Sequence, residues 1–295
     1  MKPAPFTYHR PRSVAEALDV LSRVGSDGKV LAGGQSLIPL LSMRLASPGH
    51  LVDVNEVPGL DAVRVTDDAV HVGALVRHAA LERDGAAAAA LPLLRQGLRN
   101  VAHGTIRNRG TTVGSIAHAD PCAEMPVVLS LLGGHVVAAS VRGERSVSTA
   151  ELFLGPLETS LAPDELITSA VFPRLPARTG TSVLEVARRH GDYAVCGVAA
   201  AVTLDADGGV RRARAAYVTA GELGGVVDLS ARVQGHEAAT APWEDAGALA
   251  AERVPVEPDI HASAEYRRHL VRVLTQRALA QAAARAGHEQ GRDAA

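Results

Sequence analysis

Only two cysteines, Cys122 and Cys196, occur in 295 residues, and neither stands in a CxxC or beside a histidine at metal-ligand spacing. They read as reduced structural thiols. An iron-sulfur cluster is normally held by more thiolates than this chain owns, so any such cluster belongs to a partner. No run of about 18 apolar residues occurs, and no charged-then-apolar leader opens the sequence, so a soluble, cytoplasmic protein without a membrane span is expected. Thirty basic against 32 acidic residues leave a formal charge of −2, which gives no field to attract nucleic acid or an anionic membrane. Lysine is confined to Lys2 and Lys29 while alanine abounds, a bias assigned to coding preference and given no functional weight. Neither GxGxxG after a strand nor GxxxxGK followed by Ser or Thr is present, which disfavours a Rossmann site or a P-loop.

A chain of this length with 47% hydrophobic residues buries a sizeable core and divides into two or three lobes. Ser13 followed by Glu16 forms a capping box ahead of the apolar positions Val14, Ala17, Leu18 and Leu21. Residues 29–32 read as a short buried strand, Gly33-Gly34 as a tight turn, Ser36 as the cap of a helix through Leu45, and 51–54 as a second strand. From Gly59 the texture changes to short alternating runs, with strands at 69–74, 136–139 and 171–172, and helices from about His78 and near 91–97. Pro126 opens an apolar run through Leu132. A strand at 183–188, a small-apolar run over 195–202 and a long helix pattern over 262–286 fill the last third. The division expected is 1–58, 59–175 and 176–288, with 289–295 a disordered tail.

Two strings of small residues stand out, Ala32-Gly33-Gly34-Gln35-Ser36 and Gly110-Thr111-Thr112-Val113-Gly114-Ser115-Ile116-Ala117-His118-Ala119-Asp120-Pro121. Glycine lets backbone amides approach a ligand because no Cβ intervenes, and a strand, a glycine turn and a helix start together form an anion site. Two such strings converging from different lobes can wrap one pyrophosphate. Either one alone reads more simply as an ordinary turn.

Ala32 to Leu40 together resembles the first FAD loop of the molybdenum hydroxylase flavoproteins. Arg107-Asn108-Arg109-Gly110-Thr111 with Gly114 to Pro121 resembles the second FAD loop in the medium subunit of carbon monoxide dehydrogenase and related aldehyde, xanthine and nicotine-type dehydrogenases. Residues 51–55, 164–167 and Arg189-His190-Gly191-Asp192-Tyr193-Ala194 follow in the family's order, so the likeness spans nearly the whole chain. The resemblance implies an α+β protein: a PCMH-type, vanillyl-alcohol oxidase-like FAD-binding domain of two α/β subdomains, then a C-terminal α+β domain like that of the carbon monoxide dehydrogenase flavoprotein. It implies FAD held by Ala32, Gly33, Gly34, Gln35, Ser36 and Leu37 and by Gly110, Thr111, Gly114, Ser115 and His118, with Glu124 near the ribityl or ring region. Ile167 and Tyr193 would approach the flavin ring, although Tyr193 also reads as a half-buried core aromatic. It further implies an electron-transfer subunit assembled with a small iron-sulfur subunit and a large molybdopterin subunit, two copies of each. The alternative is a stand-alone FAD-dependent oxidase or cyclase with its own small substrate; a scaffold that has lost FAD is a third reading. Neither the substrate nor the acceptor, whether NAD, a quinone or oxygen, is written in these motifs.

The chain departs from its relatives at two places. Val113 stands where relatives often carry a glycine, so it must point away from the ligand, and Glu185 stands near a position where relatives often carry lysine, which alters the charge by the flavin. His103, His118, His135 and His190 show no metal-binding spacing, and His118 with Asp120 reads as a loop-stabilising pair without a nucleophile. Cys122, beside acidic neighbours, reads as a packing residue. Arg107 and Arg109 either meet phosphate or a partner's carboxylates, or are merely solvated.

Overall fold

A computed structural model describes the backbone of residues 2–293 and the side chains of residues 2–287. Three sheets follow one another along the chain. In the first, β1 (Thr7–His9), β2 (Gly28–Leu31) and β3 (His50–Asp53) lie in the order β1-β3-β2, all parallel. Parallel neighbours require crossovers, and these are α1 (Val14–Val24) and α2 (Leu37–Met43). Helix α1 buries Ala17, Leu18, Val20 and Leu21, and the Ser13 hydroxyl accepts from Glu16 N at 3.1 Å. The other arm of the expected capping box is displaced by one residue, because Glu16 Oε2 accepts from Arg12 N at 2.8 Å instead of from Ser13.

The second sheet combines β4 (Val63–Val65), β5 (Ala69–Gly73), β6 (His135–Ser140) and β7 (Gly143–Ser148). A two-stranded ribbon, β8 (Phe153–Gly155) and β9 (Glu158–Thr159), precedes its central strand β10 (Leu166–Pro173). The order is β4-β5-β10-β6-β7, antiparallel throughout. Between β5 and β6 run α3 (His78–Arg83), α4 (Gly85–Ala90), α5 (Pro92–Leu98), α6 (Gly104–Arg107), α7 (Thr112–His118) and α8 (Glu124–Leu131), with the single turn α9 (Thr149–Leu152) after β7. Every residue of α8 is buried, so the apolar run after Pro126 is a central helix with no solvent face.

The third sheet is the antiparallel β11 (Thr179–Ala187), β12 (Ala194–Leu204), β13 (Val210–Val218) and β14 (Val227–Asp228), covered by α10 (Trp243–Arg253) and α11 (Ala264–Asp293). Strand β12 is buried from end to end. Its alternate residues serve two cores, Val198, Ala200 and Val202 facing the helices of the third unit and Ala199 and Ala201 facing the core that α8 shares. The abundant alanines have a structural use here: a Cβ on Gly180 would overlap Ala282 O, so α11 rides close against β11 on small side chains. Helix α11 continues through Asp293, well into the stretch 289–295 expected as a tail, and residues 294 and 295 lie outside the described residues. No helix among the described residues is long and apolar enough to cross a membrane.

Candidate functional site

Strand β2 delivers Ala32–Ser36, and β3 delivers Asn55, to the carboxyl edge of the parallel sheet, where open α/β sheets form their ligand crevice. The second glycine string meets them there. A Cβ on Gly33 would stand 2.6 Å from Arg109 O, 2.8 Å from Gly110 Cα and 3.0 Å from Thr111 N, so backbone touches backbone across two units. The junction walls a cleft of about 350 Å³ lined by Ala32, Gly33, Gly34, Gln35, Asn55 and Arg109, with Ile38 and Ile106 adding apolar surface.

The two strings contribute unequally. Among the described residues the N–H groups of Gly33, Gly34, Gln35, Ser36 and Leu37 have no hydrogen-bond partner, which leaves consecutive donors for an anion. Gly34 has φ +72°, the left-handed conformation this turn requires, and Gln35 folds back so that Nε2 donates to Gly33 O at 3.0 Å. Ser36 precedes α2 but makes no side-chain cap bond, contrary to its expected role, because its own φ and ψ are already helical.

The second string is a helix where a loop was expected. Thr111 caps α7 by accepting from Gly114 N at 3.1 Å, and a Cβ on Gly114 would overlap that Thr111 hydroxyl. Its amides are largely paired internally: Gly110 N donates to Ile106 O, Thr112 N to Val76 O and Ser115 N to Thr111 O. Val113 is buried with Ile116 on the core side of α7, pointing away from the cleft as expected, while Gly114, Ser115 and His118 remain half exposed on another face. Arg107 is structural, paired with Glu82 at 2.9 Å and donating to Val101 O and Ala102 O. Arg109 lines the cleft with its guanidinium unpaired among the described residues.

Two residues that sequence reasoning missed hold the second string in place. His78 is buried; its N donates to Gly110 O at 3.0 Å, and its Nδ1 lies 3.2 Å from the Thr112 hydroxyl. Burial pushes His78 down to about 4, so the ring is neutral at pH 7. Arg77 donates to Asn55 Oδ1, 22 residues away, at 2.6 Å and to Arg109 O, 32 residues away, at 2.5 Å. No local pattern announces contacts at such separations.

Helix α7 leads from the cleft to a second group of expected residues at the seam with the third unit. Seven residues at about 1.5 Å each separate the two places by roughly 10 Å. At the seam, Thr219 N donates to Pro121 O at 2.9 Å and Asp120 accepts from Cys122 N at 2.8 Å. Glu124 begins the buried helix α8 and is only 9% exposed. Burial, and next the charge of Glu185, pushes Glu124 up to about 8, and burial pushes Glu185 up to about 7. Glu185 Oε2 is buried without a partner beside a smaller cleft of about 180 Å³ bounded by Asn100, Arg189, His190 and Gly191. With its carboxyl raised to about 7, Glu185 carries less than a full negative charge at neutral pH.

Tyr193 is 70% exposed, which removes the core-aromatic reading. The turn before it is seated by Gly191, at φ +84°, whose Cα packs against the His103 ring. Ile167 is buried in the core and lies outside both clefts. Burial raises the thiol pKa of both cysteines, Cys196 to about 12, so neither supplies a thiolate. No group of His, Cys, Asp and Glu among the described residues is arranged to hold a metal.

Residues 4–175 match the family described as the FAD binding domain in molybdopterin dehydrogenase, and residues 182–282 match the carbon monoxide dehydrogenase flavoprotein C-terminal domain. The chain is 42% identical to the 6-hydroxypseudooxynicotine dehydrogenase complex subunit alpha of Paenarthrobacter nicotinovorans, over 97% of each chain. It is 41% identical to the nicotine 6-hydroxylase medium subunit of the same organism, covering 97% of this chain and 100% of that one. Among solved structures, a chain of the carbon monoxide dehydrogenase of Hydrogenophaga pseudoflava superposes with a TM-score of 0.90 at 32% identity, covering 97% of this chain and 99% of that one.

Proposed function

Since the chain belongs to the FAD-binding medium subunits of the molybdenum hydroxylases, we propose that it relays electrons from the iron-sulfur clusters of a small partner subunit to an external acceptor, while a large molybdopterin subunit oxidises the substrate. Bound FAD supplies the redox chemistry, accepting single electrons and releasing pairs. The chain's own residues bind it, orient it and keep water from it. The observation that carries this reading is the contact of Gly33 with Arg109-Gly110-Thr111, which makes one cleft of two strings. The unpaired amides of residues 33–37 fit a pyrophosphate, and Arg109 is the cation at hand to neutralise it. The half-exposed face of α7, with Gly114, Ser115 and His118, leads toward the seam where Glu124, Glu185 and Tyr193 border the flavin ring in this reading. The orphaned Glu185 Oε2 supports a polar ligand group there.

Purification of the chain alone and with its neighbouring subunits tests the assignment. A yellow chain releasing one FAD, with iron and molybdenum appearing only in the assembled complex, is the expected result. Absence of a yellow chromophore under every condition sinks the flavin assignment, and a yellow monomer that oxidises a substrate with oxygen, free of both metals, selects the stand-alone oxidase.

Arg109→Ala removes a charge-assisted contact worth about 1.5–3 kcal/mol, so the FAD Kd is expected to rise about tenfold or more. Arg107→Ala, which breaks the Glu82 pair, should instead lower the melting temperature of the FAD-free chain. Equilibrium dialysis and thermal melts of the two variants check the contrast.

A further inference from the structure

We propose that Arg77 is a positioning residue for the cofactor: acting through Asn55, it straps the two glycine strings together and sets the width of the cleft between them. The proposal rests on the flavin reading of that cleft and goes beyond it, because Arg77 itself lines neither cleft.

The guanidinium spans two separately built units. One arm, Nη1, donates to the carbonyl of Arg109, the residue before Gly110; the other, Nη2, donates to Asn55 Oδ1. The Asn55 amide passes the grip on, its Nδ2 donating to the carbonyl of Ala32 at 2.9 Å and to Asp53 Oδ1 at 2.6 Å. That amide orientation is dictated, since an NH₂ turned toward the guanidinium would set donor against donor. The strap is anchored at its far end, where the Tyr8 hydroxyl donates to Asp53 Oδ2 at 2.5 Å.

The two gripped carbonyls stand immediately before the two glycines that touch. A trans peptide unit is planar, so holding the Ala32 C=O fixes the opposed direction of the Gly33 N–H, the first of the unpaired amides. Holding the Arg109 C=O fixes the wall that a Cβ on Gly33 would meet at 2.6 Å. Backbone pairing keeps the second string on the segment before α3, with Thr112 N on Val76 O and His78 N on Gly110 O, but none of those bonds reaches the first string. Among the described residues, the hydrogen-bonded link that does runs through Arg77 and Asn55. A planar fork with two donors in fixed geometry suits this task, and an ammonium does not.

The test compares Arg77→Met, Arg77→Lys, Asn55→Ala and the Arg77→Met/Asn55→Ala double variant of the full chain, with Arg145→Met, which breaks the pair with the largely buried Glu165 side chain, as a destabilising control. FAD Kd is read by titration of the stripped protein, and the melting temperature is read on the same preparation. The expected results are a Kd raised tenfold or more in Arg77→Met, partly restored in Arg77→Lys, and no worse in the double variant than in the worse single one. Amide exchange of the stripped Arg77→Met protein should quicken in peptides covering 31–38 and 108–115 and stay unchanged in those from α11. An unchanged Kd in Arg77→Met against a wild type that binds FAD overturns the strap while leaving the flavin reading intact. So does a Kd loss that merely tracks the melting temperature as in the control, or one that adds fully in the double variant. A wild type that binds no FAD overturns both.

Discussion

Gly33→Val should yield a folded but colourless protein. The Cβ it introduces falls 2.6 Å from Arg109 O and 2.8 Å from Gly110 Cα, and both are backbone atoms that cannot rotate aside as a side-chain end would. Either the strings separate or the Gly33 peptide turns, and each outcome misdirects the amides that face the cleft. The FAD Kd is expected to rise more than about tenfold, a loss of at least about 1.4 kcal/mol of binding, and retained FAD should fall clearly below the wild-type level. The far-ultraviolet circular dichroism should persist, because the core of the third unit is built from other residues. Gly34→Val acts differently. A Cβ there meets the Ile38 side chain at 3.0 Å, and the main penalty is a β-branched residue at φ +72°, about 1–3 kcal/mol of local strain. Full FAD retention in Gly33→Val would show that the strings do not form one site.

In the FAD-free chain, stability is expected to fall between about pH 5 and pH 8, and Glu124→Gln should flatten that fall. Glu124 and Glu185 are raised on folding to about 8 and about 7, so the folded chain holds protons that the unfolded chain releases from about 4.5 upward. A raised carboxyl contributes its stability fully below the unfolded value and loses it as pH climbs through the folded one. The combined loss is on the order of 2–5 kcal/mol, because a buried charge without a partner is costly and two of them face one seam. Glutamine keeps the shape and removes the ionisation, so Glu124→Gln should match the wild type below about pH 4.5, where the carboxyl is neutral in both states, and be more stable above about pH 8. Urea unfolding at several pH values reads the difference directly. A flat wild-type profile, or a variant as steep as wild type, would exclude the pair as its source.

Local order was legible where a repeat or a cap wrote it. Helix α1 shows in Ser13, Glu16 and its apolar spacing; β2 and β3 show as short apolar runs beside glycines; and most of α11 shows as a stripe. Strand β1 is three residues long with no alternation and forms only because β3 offers it an edge. Strand β13, with arginines among its alanines, pairs with β12 through partners that no local window contains. Helix α7 was hidden inside a glycine-and-threonine string that reads as loop, since its start depends on a single hydroxyl cap.

By itself, the sequence determined the family and with it the cofactor class, because the two glycine strings and the segments after them are written in order along the chain and together resemble one family. Only the tertiary structure decided which string supplies free amides and which supplies the wall, that Arg107 is paired while the Arg109 guanidinium has no partner among the described residues, and that Arg77 ties the two strings together. It also brought two ordinary glutamates, 61 positions apart, close enough and deep enough that both carboxyls are raised, Glu124 to about 8 and Glu185 to about 7. Hydrogen-bond satisfaction and desolvation are properties of the assembled surroundings, so they come into being only when distant segments meet.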